Sequence, residues 1–111
     1  MNDFTEKLGL KVLNLASGKK ITGCYAGDIL SYALSKLKEG DIWVTSQKNV
    51  NVSAIAYRKK VACVILTDGI VPDTDMLEGA KKTGVNIFST ELGTYDIAVK
   101  ISIVLCNCKN A

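Results

Sequence analysis

Val61-Ala-Cys-Val-Ile-Leu66 is the most continuous apolar, β-branched-rich run in the chain. A strand with one wet face alternates, because successive side chains point to opposite sides. An unbroken run means that both faces are buried, as in a parallel sheet covered by helices. Parallel strands cannot be joined by tight hairpins, so a crossover is needed on either side. The flanking sequence supplies both. Asn49–Lys59 puts Val52, Ile55 and Ala56 on one side, with polar Asn51 and Ser53 elsewhere. Beyond Asp68-Gly69 and Pro72, Asp73–Thr83 turns Met76, Leu77 and Ala80 inward, and Gly84 stops it.

The same rhythm extends outward. Asp41–Thr45 is a compact apolar strand, and Val85–Phe88 is a short one. Ile29, Leu30, Ala33, Leu34 and Leu37 fall at helical spacing, which predicts a helix over 27–38 that ends at Gly40. Asp28 would sit in its first turn, where the macrodipole favours a negative charge. A last helix is expected from Glu91 to about Cys106, burying Leu92, Tyr95, Ile97, Ala98, Ile101, Val104 and Leu105. At the front, Phe4 and Leu8 suggest a short helix from Asp3 that Gly9 ends. Lys11–Leu15 alternates as a half-buried strand, Ala16-Ser17-Gly18 is a turn, and Lys20–Tyr25 is a second strand that would pair with the first. Strand alternating with helix means βαβ units with right-handed crossovers. The expected fold is α/β, a single layered domain over residues 1–111 with a mainly parallel sheet flanked by helices.

Composition agrees with that and narrows function. The chain has 111 residues, of which 48% are hydrophobic, enough for one domain with a real core. No apolar run approaches the roughly 18 residues of a membrane span. The polar, acid-containing start, Met1 to Lys7, is unlike a signal peptide, so the expected location is the cytoplasm. The net charge of +3 is dispersed, with Lys-Lys at 19–20, 59–60 and 81–82. Nucleic-acid binding would want a basic stripe interleaved with aromatics, so no nucleic-acid or membrane partner is expected. Cys24 and Cys63 fall inside apolar strand patterns as small buried hydrophobes. Cys106 and Cys108 form a C-x-C pair, but with no histidine in the chain neither a zinc site nor a Ser-His-Asp or Cys-His arrangement is available. No cofactor and no metal are expected.

In open parallel sheets, ligands bind beyond the carboxyl ends of the strands. Thr45-Ser46-Gln47, Thr67-Asp68-Gly69 and Ser89-Thr90 follow three predicted strands. Each precedes a helix, so hydroxyls and free backbone N–H groups would line one rim, a seat for phosphate or carboxylate. Helix capping is the plainer use of such hydroxyls. Gly18-Lys19-Lys20 lacks both the earlier glycine and the following Ser/Thr of a phosphate-binding loop.

The stretch Lys19–Asp28 joins the N-terminal unit to the βα rhythm. Its Ile21-Thr22-Gly23, followed by Gly27-Asp28, a helix and Gly40-Asp41-Ile42-Trp43-Val44-Thr45, resembles the DRTGG-domain family over nearly the whole chain. Thr22 and Gly23 match the Asp-Arg-Thr-Gly-Gly motif. Lys20 and Ile21 stand where the Asp and Arg would be, and Cys24 where the last Gly would be. The resemblance implies a fold like the N-terminal domain of HPr kinase/phosphorylase. It implies a regulatory, dimerising unit rather than an enzyme, of the kind found beside CBS pairs in some pyrophosphatases or, stand-alone, near hydrogenase genes. The expected partner is a second copy of the chain, with Tyr25 and Ile29 as candidate contacts, or a separate enzyme or hydrogenase-related protein. The alternative is a sensor for an adenine nucleotide or other anion, with Thr22, Gly23 and the three strand ends as candidate ligand-binding residues. A further alternative is a thiol-dependent enzyme or redox protein using Cys106 and Cys108.

Overall fold

The computed structural model describes residues 2–16 and 18–110, with side chains from Asp3 to Cys106 apart from Ser17. Helix α1 (Asn2–Leu8) leads into strand β1 (Lys11–Asn14). Then come β2 (Gly23–Ala26), α2 (Leu30–Lys36), β3 (Asp41–Thr45), α3 (Val50–Lys59), β4 (Cys63–Leu66), α4 (Thr74–Thr83), β5 (Ile87–Ser89) and α5 (Thr94–Asn110). The sheet order is β1-β5-β4-β3-β2. β2, β3, β4 and β5 are mutually parallel, and β1 runs antiparallel to β5.

The parallel strands follow chain order across the sheet. Right-handed crossovers taken always in one direction put every connecting helix on the same face. Accordingly Ala33 and Leu37 around α2, Val52 and Ala56 of α3, and Met76 and Ala80 of α4 share one core with Trp43, Val64, Leu66 and Ile87. That would leave the other face bare. The terminal helices cover it: Phe4 and Leu8 of α1 and Ile97 and Ile101 of α5 pack with Ile42, Val44, Cys63, Ile65 and Phe88. The two faces alternate along β4, and all four of its residues are completely buried, as the unbroken run at 61–66 implies.

Two expectations are corrected. β1 and β2 do not pair; they are opposite edges of the sheet. Residues 15–22 connect them along its amino-terminal end, where Ala16 N–H donates to Asn86 Oδ1 and Thr22 N–H to the Gly40 carbonyl. Four strand spacings are about 19 Å, and eight extended residues reach about 26 Å, so the span is easily met. The Ser17 turn lies outside the described residues.

The second correction concerns α2, which is seven residues long rather than filling 27–38. Asp28 stands before it, and Ile29, Tyr32 and Leu34 are exposed. Tyr95 of α5 was also expected inside but is 71% exposed. It continues an outward stripe with Val99 and Ile103, opposite Ile97 and Ile101.

Candidate functional site

Thr45-Ser46-Gln47, Thr67-Asp68-Gly69 and Ser89-Thr90 do come together, because β3, β4 and β5 are neighbours that end on the same side. The helices, however, begin only at Val50, Thr74 and Thr94, and α3 takes its cap from Asn49, whose side chain accepts from Asn51 N–H. The rim hydroxyls therefore do not cap helices. Thr45 Oγ1 accepts from Gln47 N–H at 3.2 Å, and Thr90 Oγ1 from Leu92 N–H at 3.2 Å, the local turns that such residues form where a strand stops.

Nor are the rim amides free. Thr67 N–H donates to the Thr45 carbonyl, Asp68 N–H to Leu92, Gly69 N–H to Thr90 and Thr90 N–H to Leu66. The strand ends are laced to one another rather than held open for an anion. Topology gives the same answer: the parallel strands run in sequence, so there is no reversal of strand order to split the rim into a crevice.

Asp28 joins this rim, which its sequence position did not suggest. Its Oδ1 accepts from Thr45 Oγ1 at 2.9 Å and from Ser46 N–H at 2.7 Å. Partial burial pushes its carboxyl up, but these bonds, with one from the Ser46 hydroxyl, outweigh it and hold the group below the usual carboxylate range. The preceding Gly27 carbonyl accepts from Trp43 Nε1 at 3.0 Å, which satisfies the indole of a fully buried residue. Thr67 is the exception on the rim. It is completely buried, and its Oγ1 has no hydrogen-bond partner.

Thr22 and Gly23 lie far from this rim, at the amino-terminal ends of the strands. Thr22 Oγ1 donates to the Glu39 carbonyl at 2.7 Å. A Cβ on Gly23 would come within 2.8 Å of Asp41 Oδ1, and one on Gly40 within 2.9 Å of the Lys20 carbonyl oxygen. Asp41 in turn accepts from Lys38 N–H at 2.8 Å. Thr22-Gly23 and Gly40-Asp41 thus form one close-packed joint between the connector and the start of β3. Its residue types are explained by contact, without a ligand.

Cavities among the described residues border these positions. One of about 540 Å³ includes Thr22 and Gly40 in its wall. One of about 400 Å³ runs between β2 and α5, lined by Gly23, Cys24, Ile101 and Cys106 among others. The third, about 110 Å³, lies by Gly69, Pro72, Ser89 and Lys11. Cys24 is exposed as a whole residue, yet crowding of its thiol and the nearby Asp41 carboxylate push it up to about 11. Complete burial raises the Cys63 thiol further. Both are poor nucleophiles at neutral pH. Cys106 is exposed, and the Cys108 side chain lies outside the described residues.

A model of the DRTGG domain matches residues 10–104. No curated protein matches the sequence. Among solved structures, the chain is similar to the CBS and DRTGG domains of the regulatory region of Clostridium perfringens pyrophosphatase, a crystal structure complexed with the activator diadenosine tetraphosphate. The TM-score is 0.73 at 19% identity, and the match covers 91% of this chain but 45% of that one. At that identity the likeness speaks for the fold. The chain spans less than half the length of the structure it resembles.

Proposed function

This chain belongs to the DRTGG domain family, and we propose that it is a non-catalytic regulatory and interaction domain that works as a homodimer. The observation that carries the pairing is the β2 edge. Among the described residues β2 has β3 on one side and no strand on the other, an edge that a second strand can join. Next to it, Ile29 is 57% and Tyr32 60% exposed. Tyr25 packs against the core instead, which leaves Ile29 and Tyr32 as the contact pair. A twofold interface needs one patch that matches itself, and an open strand edge with an apolar flank can do so. Sedimentation at micromolar concentration is expected to give the dimer, and Ile29→Asp with Tyr32→Asp to weaken it about tenfold or more. A chain that sediments only as monomer sinks the proposal.

This reading also takes in one domain over residues 1–111, in the cytoplasm, acting on a separate metabolic enzyme or hydrogenase-related protein. The thiol-dependent alternative would require activity that disappears when Cys106 and Cys108 are both changed to Ser.

A second reading rests on Thr67. A buried hydroxyl without a partner is uncommon, and this one stands at the rim, where an adenine nucleotide or other anion would be sensed by Thr45–Gln47, Thr67–Gly69 and Ser89-Thr90. The activator in the Clostridium perfringens regulatory region is itself an adenine dinucleotide. Adenosine triphosphate should then raise the melting temperature of the chain but not of Thr67→Val. A flat response in the unaltered chain counts against this reading.

A further inference from the structure

Three lysines from two separate segments line the cavity at the amino-terminal end of the sheet. Lys19 and Lys20 come from the β1–β2 connector and Lys60 from the carboxyl-terminal cap of α3; Thr22, Glu39 and Gly40 complete the wall. The cavity measures about 540 Å³, inside the roughly 300–1,000 Å³ of ordinary small-molecule sites. Three lysines against Glu39 leave a net charge of +2 on its lining. The ion pair between described residues is Lys48 with Asp73, at the opposite end of the sheet, so no carboxylate of the described residues lies within ion-pair distance of the three lysines. Gathered like charges repel, and an anion in their midst relieves that repulsion.

The commonest reason for a cation here would be the end of a helix, since α2 and α3 both finish on this side. Lys36 fills that role in the last turn of α2, and Arg58 and Lys59 in the last turn of α3. Lys19 and Lys20 belong to no helix. Lys60 is the left-handed cap of α3, φ 55, where glycine is the usual residue and where a cation also suits the helix end.

We infer that this cavity binds a small phosphorylated anion through Lys19, Lys20 and Lys60. Lysine ammonium groups hold phosphate as mobile point charges. The Thr22 hydroxyl is already committed to the Glu39 carbonyl, so the lysines are the donors. No aromatic side chain lines the cavity, so there is nothing on which a nucleobase would stack. The site therefore reads the phosphate and ignores the base. It lies at the other end of β3 from the rim, about 16 Å along the strand, and does not depend on the rim's binding anything.

The test is calorimetric titration of the full chain with inorganic pyrophosphate and, separately, with adenosine diphosphate, combined with backbone amide shifts. Both probes should bind with similar affinity, weaken with added salt, and move the amides of 19–23, Gly40 and Lys60. Lys19→Ala, Lys20→Ala and Lys60→Gly together should weaken binding about tenfold or more; glycine suits the left-handed backbone, so the fold should hold. Lys100→Ala, an exposed lysine of α5 outside this cavity, should change nothing. Unaltered affinity in the triple variant, no binding to the unaltered chain, or shifts centred on Thr45–Gln47 and Thr67–Gly69 would each overturn the inference. If the triple variant unfolds by circular dichroism, the amide shifts of the unaltered chain decide alone.

Discussion

Asp28 and Gly40 occupy matching places at the two ends of the β2–β3 pair, and each does more than its local sequence announces. Asp28 sits two residues before α2 and reads as a first-turn acid, but its carboxylate is drawn to Thr45 and Ser46. Its folded pKa is depressed, so the stability it contributes is present above the ordinary carboxyl pKa of about 4 and lost as pH falls through the lower folded value. Asp28→Asn should destabilise at neutral pH by about 1 kcal/mol or less after solvent screening, and the difference from the unaltered chain should close in denaturant melts below about pH 4. Gly40 reads as a helix stop. Its real constraint is φ 87 with the connector passing against it, where a Cβ would meet Thr22 Oγ1 and the Lys20 carbonyl. Gly40→Ala should cost about 2 kcal/mol or more in urea unfolding. Tertiary contact accounts for the residue types at Thr22, Gly23 and Gly40.

Among the elements, those with local stop signals were legible. α3 fills Val50–Lys59 within the range expected for it, and α4 ends at a left-handed Gly84, the stop its sequence indicates. α2 was not, because the Gly27-Asp28 joint takes its first residues: Gly27 N–H bonds to Val44, and Asp28 to the rim. What remains is short and buries few side chains beyond Ala33 and Leu37. Hydrogen exchange should follow that inequality. The amides of Val64, Ile65 and Leu66, on a strand buried on both faces, should be the slowest, at the rate of global unfolding. Those of α2 should exchange through local opening, orders of magnitude faster. Equal protection in both would mean that α2 is held by more than its visible contacts.

At the scale of the molecule, two cores share one sheet, and β3, β4 and β5 contribute side chains to both. Neither face can be stripped without exposing the other's strands, so unfolding should be one cooperative event. Trp43, the chain's single tryptophan, reports on the α2–α4 face, while far-ultraviolet circular dichroism reports on all helices. The two thermal transitions should coincide; separated midpoints would mean that α1 and α5 form an independent unit. The charge distribution also belongs to this scale. The Lys-Lys pairs at 19–20 and 59–60 look dispersed along the chain, and only the fold brings Lys19, Lys20 and Lys60 to one cavity.

Side-chain periodicity and local caps are near-neighbour physics, and the sequence carries most of them. A run of apolar residues with no alternation dictates a strand with two covered faces, and helical repeats beside it dictate the covers. Hence the α/β class, the parallel strands 41–45 and 61–66 and the gathering of three strand ends on one side were determined by sequence alone. Pairing across the sheet is not near-neighbour physics. Which edge β1 takes, where the connector runs, and whether a hydroxyl or lysine meets a ligand or a neighbour depend on residues tens of positions apart. Those the tertiary structure decided: it closed the rim with its own backbone bonds and gathered three lysines at the other end.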